Sequence, residues 1–170
     1  SAPDTAFSIN RLVYAYRILK QCDERCNGKN EKYKELLSNV EKIMERAGYG
    51  IMNGGFHTPN HRWAIASCLM TLYNVFKIEA FKERAHDYLR EGIDCNEDGE
   101  YAERSSGGYN HVNNEQMIIL AEETGDESYL EHVKRNLDMM ITYFEPDGTI
   151  FTGNSTRQDR GRKVYPDVYY

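Results

Sequence analysis

A chain of 170 residues, 40% hydrophobic and 28% charged, has a globular composition and length enough for one domain with a real core. A net charge of -6 excludes general nucleic-acid binding, which needs a basic face; the one basic cluster, Arg157, Arg160, Arg162 and Lys163, is interrupted by Asp159. No apolar run approaches membrane-spanning length and no secretory apolar segment is visible at the start, so no membrane partner is expected.

Helical periodicity dominates, and the expected fold class is all-α. A first helix is expected from residue 4 to about residue 26, with Ile9, Val13, Tyr16 and Leu19 at helical spacing and Asp4 and Thr5 as caps. Residues 26–30 read as a turn. Tyr33, Leu36, Leu37, Val40, Ile43, Met44 and Ala47 form an amphipathic second stripe, with Gly48 and Gly50 expected to stop it. Thr58 opens the third helix as N-cap with Pro59 in its first position, and residues 63–76 are apolar nearly all round. The fourth is expected from about residue 79 to residue 93, presenting Phe81, Ala85, Tyr88 and Leu89. The fifth carries Met117, Ile118, Ile119, Leu120 and Ala121 and ends at Gly125. Asp126 caps the sixth, which is expected to bury Tyr129, Leu130, Val133, Leu137, Met140, Ile141 and Phe144.

Amphipathic helices alternate with more uniformly apolar ones, a pattern of outer and inner helices. It predicts three αα-hairpins forming a partial α/α-toroid, in a single domain over residues 1–170. Helical starts near Asp4, Thr58 and Asn110 lie about 50 residues apart, the mark of a repeat architecture. Residues 48–61, 96–111 and 145–160 are polar connectors. The last two each hold an Asp-Gly turn followed by a short β-like stretch. Hairpins packed in parallel would gather these connectors at one end. The closing VYPDVYY stretch reads as the approach to another inner helix, so the chain is expected to be a fragment or half of a larger toroid. Its core would be completed by the rest of a parent chain or by a second copy.

Three stretches carry chemistry. In TPNHRW, residues 58–63, Asn60 and His61 fall in the first helical turn, where unpaired amides and the helix dipole favour anions and a neutral imidazole. Arg62 adds a carboxylate-binding fork. These groups would equally serve to satisfy the helix end. In ERSSGGYNHVNNEQ, residues 103–116, Tyr109 and His111 are proton-transfer candidates, Gly107 and Gly108 permit close backbone approach, and Arg104, Asn113 and Asn114 are candidates for binding. The alternative is a polar loop with an asparagine cap. In GNSTRQDR, residues 153–160, Arg157 could meet an anionic substrate, although a solvated connector is the simpler reading.

Metal and cofactor sites are not expected. Residues 94–105 begin like a calcium loop but place Ser105 where the bidentate glutamate belongs. Thr58-Pro59 sets His57 outside the helix that carries His61, so the pair does not make a zinc site. Four cysteines without a Cys-x-x-Cys pair indicate neither a disulfide scaffold nor a thiolate zinc site. Phosphate-binding and dinucleotide fingerprints are absent, as is a nucleophile elbow. Thirteen tyrosines and six phenylalanines suit both a core and a carbohydrate-facing surface.

HTPNHRWAIASCLMTLYNVF, DGEYAERSSGGYNH and VKRNLDMMITYFEPDGTIFTGNSTRQD resemble segments of bacterial heparinase II/III-like proteins, which are related to alginate- and heparin-type polysaccharide lyases with an α/α-toroid. The likeness runs from about residue 4 to residue 160. It implies β-elimination on a uronic-acid-containing polysaccharide or oligosaccharide in a bacterial protein, cytoplasmic or periplasmic, without a cofactor. It also implies catalytic roles for Asn60, His61, Tyr109 and His111, and substrate contacts from Arg104. Arg62, His57, Asn113, Asn114, Glu103 and Arg157 complete the expected binding set. Two other functions fit the same residues: a glycoside hydrolase using Glu103 with Glu115, and a non-catalytic helical module that binds glycans or proteins.

Overall fold

The computed structural model describes residues 1–27 and 30–167. It is all-helical, with α1 (Ala2–Arg25), α2 (Glu31–Met52), α3 (Pro59–Phe76), α4 (Glu79–Leu89), α5 (Tyr109–Thr124) and α6 (Ser128–Ile141). Among the described residues the extended pairing is confined to the isolated bridges Cys95–Tyr101, Phe144–Ile150 and Ile150–Val164. The chain divides into two compact units. The first is Ser1–His57 with Ala64–Arg90; the second is Thr58–Trp63 with Glu91–Tyr170.

In the first unit α1 and α2 pack along one another as a hairpin. The α1 stripe buries Ile9, Val13 and Tyr16 as its periodicity predicts, and α2 contributes Met44 and Ile51. Tyr16 donates to Glu41 Oε1 at 2.6 Å, and burial followed by that carboxylate pushes its phenol up to about 12. Ser1 is the N-cap of α1, with Asp4 accepting from its hydroxyl at 2.7 Å, so Asp4 works inside the first turn rather than as the cap. Of the expected turn at residues 26–30, Gly28 and Lys29 lie outside the described residues.

Gly48 and Gly50 do not stop α2, which continues to Met52. Gly48 is buried, and a Cβ there would sit 2.6 Å from Phe81 Cζ and 3.0 Å from Leu72 Cδ1. The missing side chain lets α2 approach the α4 phenylalanine; the glycine serves packing, not termination. α4 closes at Leu89, earlier than expected, because Arg90 is its C-cap and Gly92 turns the chain with φ +78°.

In the second unit α5 and α6 form a hairpin. Gly125 ends α5 in the left-handed conformation, and Asp126 accepts from the Ser128 amide at 2.9 Å to start α6. α6 turns a narrower face inward than expected: Val133, Asn136 and Met140 are buried, whereas Leu130, Leu137, Ile141 and Phe144 are exposed. Asn136, a polar residue on that inward face, donates to the Gly99 carbonyl at 2.9 Å and accepts from Asn114 at 2.9 Å, and Asn114 accepts from the Tyr101 hydroxyl at 2.9 Å.

The two Asp-Gly connectors repeat one design. The Asn96 amide donates to the Glu100 carbonyl at 3.0 Å in the first, and Glu145 to Thr149 at 2.8 Å in the second, each closing over a glycine with positive φ. Gly99 is obligatory on two grounds: φ is +91°, and a Cβ would lie 2.2 Å from the Arg135 carbonyl oxygen. At the C-terminal end Ile150 donates to the Val164 carbonyl at 2.9 Å, extending this pairing; Val168–Tyr170, the end of the expected approach to a further helix, lie outside the described residues.

Candidate functional site

The second unit buries a group of polar side chains where its two connectors meet the first turn of α3. Pro59 starts that helix as expected, with the His61 and Arg62 amides bonded to the Thr58 carbonyl at 3.1 and 3.2 Å. Asn60 is wholly buried and donates to both carboxylate oxygens of Glu103, at 2.6 and 2.8 Å, and to the Thr58 hydroxyl at 3.1 Å. Glu103 is itself buried, with Arg157 Nη1 at 3.7 Å from Oε1. Thr156 donates to the Glu103 backbone carbonyl at 2.7 Å, tying the 145–160 connector to the 96–111 connector.

Arg157 stacks on the Tyr109 ring, its guanidinium carbon 4.5 Å from the ring centroid, and Gln158 donates to the Tyr109 hydroxyl at 3.0 Å. Hydrogen bonding from Arg157, then from Gln158, lowers the Tyr109 pKa below that of an ordinary phenol and outweighs the opposing effect of burial. Tyr109 is only partly buried, so the acidified hydroxyl stays within reach of a ligand.

A buried carboxylate holds this geometry. Asp159 accepts from Ser155 Oγ at 2.6 Å, Ser105 Oγ at 3.0 Å and the Gly107 amide at 3.0 Å. Ser105 Oγ in turn accepts from the Tyr109 amide at 2.9 Å, so the Asp159 clasp fixes the start of α5. Gly107 fits only without a side chain, because a Cβ would come within 2.9 Å of Val164 and 3.1 Å of Asp159 Oδ2. This confirms the close approach expected of the Gly107-Gly108 pair.

The expected site residues therefore separate. Asn60, Glu103, Tyr109 and Arg157 are joined in one chain of contacts. Arg104 follows Glu103 with its side chain turned outward, and His61 follows Asn60 and is half-buried. His111 sits in the first turn of α5, where burial lowers its pKa against the raising effects of Glu115 and the Gly108 backbone. Asn113 is fully buried, and neither of its amide atoms has a hydrogen-bond partner. Asn114 belongs to the Tyr101–Asn136 core network. Arg62 is committed elsewhere: its buried guanidinium bonds Glu91, the Gly92 carbonyl at 2.7 Å and Asp94 at 2.9 Å, anchoring the segment that follows α4. His57 is exposed and belongs to the first unit.

Sequence reasoning missed Asp159, Thr156 and Gln158. One signal was open to it: Asn-His stands in the first turn of both α3 and α5, as Asn60-His61 and Asn110-His111, and both asparagines are buried. The two asparagines differ in their partners, Asn60 donating to Glu103 and Asn110 to Met140 Sδ at 3.3 Å. Among the described residues no group of three or more His, Cys, Asp or Glu side chains is placed to hold a metal ion. Comparison with protein-family models, with curated proteins and with solved structures finds no match to this chain.

Proposed function

We propose that the second unit is the site of β-elimination on a uronic-acid-containing glycan, as the resemblance to heparinase- and alginate-type lyases implies. The observation that carries this reading is the acidified, accessible phenol of Tyr109 held against Arg157. Elimination needs a base for the C5 proton, offset of the charge on the adjacent carboxylate, and a proton for the departing oxygen. Arg157 offsets the uronate carboxylate. Its side chain is about a quarter exposed. Tyr109, in its phenolate form, takes the C5 proton. The C5 electron pair closes the C4–C5 double bond, the C4–oxygen bond breaks, and the leaving oxygen recovers a proton from the phenol. Asn60 acts through Glu103, holding the countercharge that keeps Arg157 in place. His61 is the alternative base.

The hydrolase reading needs a carboxyl group free to protonate a glycosidic oxygen. Both Glu103 oxygens are engaged by Asn60, and Glu115 is exposed on α5, which favours elimination over hydrolysis. Incubation with a panel of uronate polymers tests the proposal. The expected product carries the ultraviolet absorbance of an unsaturated uronide, and Tyr109→Phe reduces its rate about 10²- to 10⁴-fold. A folded protein that forms no such product on any uronate polymer would refute it.

A further inference from the structure

Two helices of this chain each leave an apolar row uncovered. On α6 Leu130, Leu137 and Ile141 are 40, 41 and 68% exposed, and Phe144, just past the end of the helix, is 43% exposed. On α2 Leu36 and Ile43 are 48 and 56% exposed. Leu130 and Leu137 stand seven residues apart, as do Leu36 and Ile43, which keeps each pair on one face of its helix. Apolar side chains aligned in this way mark a contact surface rather than scattered surface residues. The other flank of α2 is already packed within the first unit, where Gly48 presses against Phe81 of α4. One flank of α2 therefore accepts a helix of the next hairpin while the other stands open, the arrangement of a stacked repeat.

The two open faces match in charge and in shape. On α2 the exposed residues Lys32, Asn39 and Arg46 form a row beside the apolar face, on the side away from the core. On α6 the exposed Glu131 and Asp138 form the corresponding row. Laid parallel, with Leu36 level with Leu130 and Ile43 with Leu137, the two helices bring Lys32 to Glu131 and Asn39 to Asp138, the offset at which flanking residues of parallel helices pair. Val40 then stands level with Lys134, whose stem can cover it while the ammonium stays in water. The same register sets Phe144 level with Gly50, an exposed position where a side chain would meet nothing within 4 Å. Two copies of α6 laid antiparallel would instead set their Glu131 and Asp138 rows against each other.

We infer that α6 of one copy docks on α2 of a second copy, a head-to-tail contact between unlike faces. The inference goes beyond the glycan reading and does not depend on it. The apolar rows exclude water, Lys32 with Glu131 sets the register, and Phe144 of one copy covers Gly50 of the next.

Sedimentation velocity of the whole chain over a range of concentrations tests it. Wild type is expected to gain mass as concentration rises. Ile43→Asp spoils the α2 face and Leu137→Asp the α6 face. Each variant alone is expected to associate at least about thirtyfold more weakly, with helical content by circular dichroism unchanged because both positions are exposed. Mixed, they are expected to form one-to-one dimers and nothing larger, since each supplies the face the other lacks. Lys32→Glu or Glu131→Lys alone is expected to weaken association about fivefold, and the two changes in one chain to restore it. A wild type that stays monomeric at every concentration, an Ile43→Asp variant that assembles as wild type does, or a mixture that stays monomeric would overturn the contact. Should an aspartate variant lose helical content, the charge exchange decides: no recovery in the double variant overturns it.

Discussion

The two units of this chain treat buried polarity differently. Among the described residues the first buries Asn10, Ser67 and Thr71 as its polar members, with Asn10 donating to Ser67 at 3.1 Å and Thr71 to the Ser67 carbonyl at 2.9 Å. Its interior is otherwise aliphatic and aromatic, tightened by a glycine pressed against Phe81. The second buries two carboxylates, Glu103 and Asp159, an arginine, five asparagines and several hydroxyls. Buried polar groups lower stability unless they are paired, and Asn113 and Asn60 Oδ1 show that the pairing here is incomplete. The second unit therefore carries more buried polar groups, and carries them at some cost to stability, which is the pattern expected of a unit that holds the proposed chemistry.

Four variants sharpen or break that contrast. The largest effect is expected from Tyr109→Phe, which removes the hydroxyl proposed to transfer the proton and should lower turnover about 10²- to 10⁴-fold in a steady-state assay of unsaturated product while leaving the melting temperature nearly unchanged. Next is Asp159→Ala, which strands the Gly107 amide and two serine hydroxyls. A loss of about 3 kcal/mol in denaturant unfolding is expected, together with lowered turnover because the start of α5 is released. Gly48→Ala should cost about 1–3 kcal/mol by pressing a methyl group into Phe81, without altering turnover, since the first unit holds none of the proposed chemistry. The smallest effect is on pH dependence. The Gln158 amide and the Arg157 guanidinium both favour the Tyr109 phenolate, so Gln158→Ala lets the phenol keep its proton to higher pH. The rising limb of the rate profile should move upward in pH; a downward shift would contradict the assigned base.

The helices were legible because their apolar spacing is regular and their ends carry distinct signals, such as Thr58-Pro59 before α3 and Gly125 after α5. Gly48 misled because a glycine serves equally as a stop and as a place for close approach, and only the neighbouring helix decides between them. The outer leucines of α6 misled for a related reason: periodicity identifies one face of a helix but not how much of that face another element covers. The site was legible as a set of residue types and not as pairings. Asn60 with Glu103 and Ser105 with Asp159 join residues far apart in sequence, and nothing local in either stretch announces its partner. Arg62 looked like a substrate fork by type and position, yet Glu91 and Asp94 claim it.

The central claim is that the second unit cleaves a uronate glycan by elimination. Digestion of a uronic-acid oligosaccharide in heavy-oxygen water, followed by mass spectrometry of the fragments, tests it most directly. Elimination predicts fragments with an unsaturated end and no oxygen from solvent, and their disappearance in Tyr109→Phe. Incorporation of one solvent oxygen per cleavage, or an intact oligosaccharide after incubation with the folded wild-type chain, would contradict it.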